Sequence, residues 1–373
     1  MSVTSEFDVP GVAGLSLPRP RQDRRCHDTS AHCRTDFSLR DARHLVNDLF
    51  TPCLRTYWTD FLLSFGIGLT AFLVLRRVSL SPPAWLAVYA IAVLAFYRAA
   101  MFSHEVVHLR GEKFKTFRAA WNLLCGIPFL IPSFLYQTHT LHHVRKHYGT
   151  KDDGEYLPLA TGPALNILLY LGQPFVVPLI AAFRFLVLAP LTWVSPPTRR
   201  FVYQRMSSMV IDPTFVRPLP ARSELRAWRL QEVACFAYLV SLIGICALGL
   251  RPWMLLVDAY AISVGVLTLN AIRTLGAHRY LHGGEDVSFV DQLLDSLNYP
   301  HNPVTGELWA PVGLRFHALH HLFPSLPYHA LSTAHQRLMA GLPADSPYRR
   351  TISHGLLGEL ATLWRRARSS TAG

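Results

Sequence analysis

Nine histidines fall into four short groups along this chain. They are His104 and His108 in HEVVH, His139, His142 and His143 in HTLHH, His278 in RTLGAHRYLH, and His317, His320 and His321 in HALHH. Neutral imidazole is the commonest protein ligand for transition metals. A four-residue spacing sets two rings on one face of a helix, and HxxHH adds a third ring to that face. Nine nitrogens exceed what one ion holds, so the count points to two metals. HEVVH alone also fits a zinc protease with Glu105 as general base, but such a site needs only one further ligand and leaves the other clusters unexplained. His147 lies one turn beyond His143, as a ligand, a proton relay or a head-group contact. Asp152, Asp153 and Glu155 follow closely and are placed to orient imidazoles through their second ring nitrogen. His301 and His329 sit among prolines and read as structural; His27, His32, His44, His335 and His354 read as solvated.

The elements that must carry these groups are apolar. Half of the 373 residues are hydrophobic and only 16% are charged. Phe61 to Leu75, Trp85 to Met101, Val233 to Leu250 and Met254 to Leu269 run 15 to 18 residues each almost without charge. With their flanks they reach the roughly 20 residues that cross a hydrocarbon core. Residues 1–57 are polar and lack the apolar core of a signal peptide. The six cysteines form no CxxC pair, which fits a reducing compartment and no Cys-ligated centre. The net charge of +12 could point to nucleic acid. Its placement does not, since the turns Arg76–Pro83 and Arg251–Trp253 hold only three of the basic residues. That is the excess of Lys and Arg expected on the cytosolic side of a membrane.

The expected architecture is an all-α integral membrane protein with four transmembrane helices in two hairpins, 58–102 and 231–275. Interfacial helices and a histidine-rich cytosolic cap complete it. The 1–57 arm, the 103–230 segment and the 276–340 segment then share one face, with 58–340 as the domain and 341–373 as a C-terminal tail. Trp121–Tyr136 and Leu165–Trp193 are also apolar, but they carry prolines and Arg184, none comfortable at a bilayer centre. A single crossing by either would strand the histidine groups on opposite sides, so both are expected to be interfacial or re-entrant.

These features resemble the membrane fatty acid desaturase/hydroxylase superfamily, whose three histidine boxes match HEVVH, HTLHH and HALHH. LWAPVGLRFHALHHLFPSLPYH is similar to the third box of its acyl-lipid and fatty acid desaturases, and the resemblance runs from about residue 60 to residue 340. It implies two irons on the cytosolic side, held by the boxed histidines, with His278 matching an additional ligand after the last membrane helix. Where some relatives hold a metal-bound water with Asn, this chain has Thr274. An all-imidazole site is compatible with iron, zinc and copper; the resemblance chooses iron with O2 as co-substrate. The implied activity is desaturation of an acyl-lipid or fatty acyl chain, with hydroxylation or carotenoid ketolation and hydroxylation as alternatives. No cytochrome b5 domain is fused, since HGGE at 282–285 is not its haem motif. Electrons are therefore expected from a separate ferredoxin, rubredoxin or cytochrome b5 type of donor. Arg145, Lys146 and Lys151 are either head-group contacts or a solvated loop. Outside the enzyme class stand a metal transporter, which would place histidines within the spans, and a membrane receptor with a structural zinc, which would need about three ligands.

Overall fold

The apolar blocks extend into long helices because their side chains are compatible with lipid on one side and with neighbouring helices on the other. The computed structural model describes residues 37–109 and 111–370. After α1 (Leu39–Leu45), α2 (Leu54–Arg77) and α3 (Pro82–His108) form the first hairpin. The cap begins with α4 (Lys115–Trp121) and α5 (His139–His142). Next come α6 (Ala164–Val194), α7 (Pro196–Arg205), α8 (Leu225–Ala247) and α9 (Met254–Leu275). The remaining helices are α10 (Phe289–Asp295), α11 (Pro303–Trp309), α12 (His317–Leu322), α13 (Leu331–Gly341) and α14 (Leu356–Ser370). The described residues are all-helical apart from isolated bridges.

Among the described residues five helices, α2, α3, α6, α8 and α9, are long and apolar enough to cross a membrane. The fifth, α6, covers the Leu165–Trp193 stretch expected to be interfacial or re-entrant. It is one helix of 31 residues that absorbs Pro174 and Pro178 and takes a π-turn over Arg184–Leu188. Its first half packs on α9 and its π-turn on α8, so α6 wedges between the arms of the second hairpin. The backbone on either side of α6 is tied to one histidine-bearing layer. Ala160 N donates to Tyr280 O before it, and Met209 N donates to Leu135 O after it. Trp121–Tyr136 forms a π-turn, a bend and a 3-10 turn rather than a long helix.

Close helix approach is set by small residues. A Cβ on Gly68 would meet the Phe96 ring at 2.8 Å, and one on Gly265 would meet Val93 at 2.7 Å. The hairpins are therefore locked through α3. Opposite the cap, Arg76 of α2 pairs with Asp258 of α9. On the cap side Arg98 takes both carboxylate oxygens of Asp60 at 2.7 Å and reaches Glu307 at 2.9 Å, tying the first hairpin to α11.

Arg184 would be an unmatched charge among lipid-facing residues if it stood alone. It pairs instead with fully buried Glu232 at 2.6 Å and donates to Ser207 Oγ at 2.9 Å. Tyr203 OH donates to the other Glu232 oxygen at 2.9 Å. Removing one partner of a buried pair leaves a charge uncompensated, at about 3–5 kcal/mol. Glu232→Ala is therefore expected to lower the apparent Tm of the detergent-solubilised protein by several degrees, followed by tryptophan fluorescence. An unchanged transition would show that water already solvates Arg184.

Candidate metal centre

The histidines are delivered by four pieces of backbone. α3 carries His104 and His108 on its last turn, α5 is built around His139 and His142, and α12 opens on His317. His278 follows the end of α9, fixed by a bridge to Ser296. Asn298 holds the third box in place. Its backbone bridges Phe316 and Ile352, its Oδ1 accepts from Leu319 N at 3.1 Å, and its Nδ2 donates to Thr351 Oγ1 at 2.8 Å.

All nine residues come together, and they divide into two groups. His104, His108, His139, His143 and His320 offer nitrogens within 4.8 Å of one another, and so do His142, His278, His317 and His321. The division follows from helix geometry. At 3.6 residues per turn, i+4 lies about 40° to one side of residue i and i+3 about 60° to the other. In HTLHH the i and i+4 rings join the first group while the i+3 ring, His142, joins the second. In HALHH the assignment is reversed, so His320 crosses to the first group. The same-face expectation for the HxxHH triplet is thus corrected: the middle ring of each box serves the neighbouring group.

The nitrogens converge on shared points in an arrangement that could hold metal ions. His143 Nε2 faces His139 Nε2 at 2.9 Å and His320 Nε2 at 3.1 Å. His278 Nε2 faces His317 Nε2 at 2.8 Å and His142 Nε2 at 3.1 Å, and His321 Nε2 faces His317 Nε2 at 3.1 Å. One proton cannot satisfy several lone pairs aimed at a common point; a cation can. Both ring nitrogens of His104 and the Nδ1 atoms of His143, His317 and His321 are buried without a hydrogen-bond partner. Five nitrogens in one group and four in the other, each set within 4.8 Å, could hold two metal ions, and imidazole suits zinc, copper, iron and nickel alike.

Burial is the largest cause holding His139, His143, His317, His320 and His321 well below the usual imidazole range, and the neighbouring rings add to it. Burial brings His278 down to about 4. These six are therefore neutral, the form that ligates. Outer partners fix the rings. Asp153 Oδ2 lies 2.8 Å from His142 Nδ1, and Glu155 Oε2 lies 2.8 Å from His139 Nδ1. Burial opposes a charge on His142, yet Asp153 outweighs it and leaves the pKa raised. Burial also pushes Glu155 up to about 8. Tyr148 OH donates to Asp295 Oδ2 at 2.6 Å and stands 2.9 Å from His278 Nδ1. Asp153 and Glu155 stand out in the sequence by their spacing. Tyr148 does not, because its partners His278 and Asp295 lie 130 and 147 residues away, and Asp295 is recognised only once Tyr148 is placed. Asp152 is exposed and 3.8 Å from half-buried His147.

The other histidines lie elsewhere. His329 accepts from Cys53 N at 3.1 Å, His282 meets Glu285 at the surface, and His301 stacks on His354. His335 is buried against Tyr348 OH at 2.7 Å, correcting its reading as solvated. His44 is exposed, and His27 and His32 lie outside the described residues. Arg145, Lys146 and Lys151 are exposed and do not line the cavity below.

Beneath the histidines a cavity of about 440 Å³ runs between α6 and α9. His104, His139, His142, His278 and His317 form its inner end. Ile131, Val177, Ile180, Val266 and Leu267 supply apolar wall, while Asn270, Arg273 and Thr274 place polar groups along α9.

Comparison with known proteins agrees with this geometry. The family model described as "Fatty acid desaturase" matches residues 79–353. A ceramide hydroxylase of Caulobacter vibrioides (strain NA1000 / CB15N) is 38% identical over 344 residues, covering 92% of this chain and 97% of that protein. Sequence, helices and histidine geometry thus converge on one conclusion: the chain belongs to the fatty acid desaturase family of multi-pass membrane proteins, di-iron and oxygen-dependent oxidoreductases acting on lipids.

Proposed function

We propose that this protein hydroxylates a hydrocarbon chain of a ceramide-type lipid, using two irons held by the nine histidines and electrons from a separate donor protein. The observation that carries it is the near full-length similarity to a ceramide hydroxylase, which moves the weight from desaturation, the first expectation, to hydroxylation. The apolar walls of the cavity support a hydrocarbon chain as the ligand. One C–H bond becomes C–OH; the second oxygen atom of O2 leaves as water, with two electrons and two protons taken from the donor side.

Bound iron would supply oxygen activation. The chain's own residues supply the rest. His104, His108, His139, His143 and His320 would hold one ion, and His142, His278, His317 and His321 the other. Asp153, Glu155 and the Tyr148–Asp295 pair hold imidazole Nδ1 atoms, which fixes ring orientation and raises ligand basicity. The cavity keeps a methylene against the histidine cluster and excludes bulk water. Four crossings by α2, α3, α8 and α9, with α6 and α7 together leaving and rejoining the histidine-bearing side, keep the centre on one face. The basic residues flanking that face favour the cytosolic side.

Expression in a host making ceramides, with mass spectrometry of total lipids, tests the reaction. The expected product gains one oxygen atom. A product that only loses two hydrogens would return the chain to desaturation, and an unaltered lipid pool would sink the ceramide reading. The centre is tested by metal analysis of the purified protein, which is expected to hold close to two irons per chain. His320→Ala is expected to lose iron and turnover while still inserting in the membrane, and wild-type iron content in it would overturn the ligand assignment. Asp153→Asn is expected to cost about 10–100-fold in metal affinity or activity; a variant indistinguishable from wild type in iron titration would remove its role.

A further inference from the structure

Besides Arg184, which pairs with Glu232, and the exposed Arg205, the cavity wall carries a charge that the metal centre does not use. Arg273 lies in the last turn of α9, is only 7% exposed, and lines the cavity. A guanidinium has five N–H donors and stays charged. One donor reaches Asn270 Oδ1 at 2.9 Å, and the buried Nε–H has no partner. Among the described residues no carboxylate stands at ion-pair distance from it, in contrast to the buried Arg184 with Glu232. A charged side chain in a membrane helix that faces a cavity without a counter-ion marks a ligand path.

Asn270 and Thr274 lie on the same face of α9, one turn apart, and both line the cavity. Together the three offer N–H donors, an amide and a hydroxyl, the complement of a neutral amide with a nearby hydroxyl. Asn270 Oδ1 is already matched by Arg273, so the unpartnered Nε–H is the donor left for a carbonyl oxygen. These groups sit within two helical turns of His278, each turn rising about 5.4 Å. The apolar wall continues beyond them along α9 through Leu267 and Val266.

We propose that Arg273, with Asn270 and Thr274, binds the amide carbonyl of the lipid, so that the oxidised carbon lies a few bonds from that carbonyl. The inference rests on the hydroxylase reading and adds to it the end of the lipid that meets the irons. Arg273 acts as a positioning residue, holding the polar end beside the metals while the hydrocarbon tail runs into the membrane.

The test uses full-length, iron-loaded protein in lipid nanodiscs with a fixed electron donor, comparing ceramide with a free fatty acid of equal length. Wild type is expected to place its hydroxyl at one carbon near the amide. Arg273→Met is expected to retain iron, to bind ceramide about tenfold more weakly by native mass spectrometry, to lose kcat/KM chiefly through KM, and to spread the hydroxyl over several carbons. Arg273→Lys is expected to recover part of the binding. Unchanged binding and hydroxyl position in iron-loaded Arg273→Met would overturn the proposal, as would a wild-type preference for the free fatty acid or a mid-chain product. Should Arg273→Met lose iron, Asn270→Leu makes the same comparison: a shifted hydroxyl supports the assignment and an unshifted one refutes it. Failure of wild type to hydroxylate ceramide at all would instead remove the underlying reading.

Discussion

Imidazole lone pairs aimed at shared points inside a buried shell are the constraint on which this structure depends. Seven of the nine rings are buried and two are half-buried, and Nε2 atoms face one another at 2.8–3.1 Å. Without a cation that arrangement leaves lone pairs opposed in a low-dielectric interior, where unsatisfied polar groups are costly. The rest of the cap acts to keep the rings neutral and aimed. Asn298 clamps the third box, Tyr148 and Asp295 stand behind His278, and the locked α2–α3 hairpin presents His104 and His108.

Much of this was legible in the sequence. Charge-free blocks need no tertiary context to become long helices in lipid; three of the four blocks lie within α2, α3 and α9, and Val233 to Leu250 overruns the end of α8 at Ala247. The histidines announce themselves by spacing. What spacing could not give is the partition: i, i+3 and i+4 look like one face on an isolated helix, and only two helices placed opposite each other reveal that His142 and His320 belong across the divide. Arg273 was silent for a similar reason. An arginine at the end of an apolar helix reads as an interfacial side chain that snorkels, and its burial depends on α3, α6 and the cap closing around it.

The wedge of α6 was the least readable feature. Its prolines and Arg184 argue against a bilayer-centre crossing when taken residue by residue. In the folded chain the π-turn, Glu232, Ser207 and Tyr203 absorb the irregularity and the charge. The same wedge holds α8 and α9 apart and so leaves room for the cavity. Removing its irregular half would close the space that a lipid chain needs.

The crossed assignment of the two HxxHH boxes has a consequence for biogenesis. An ion bound by either group would not be fully coordinated by one half of the chain, because each group draws on α5 and on α12, which are separated by three long apolar helices. A nascent chain stalled before α12 would offer only partial ligand sets, so metallation would favour a chain synthesised through its third box.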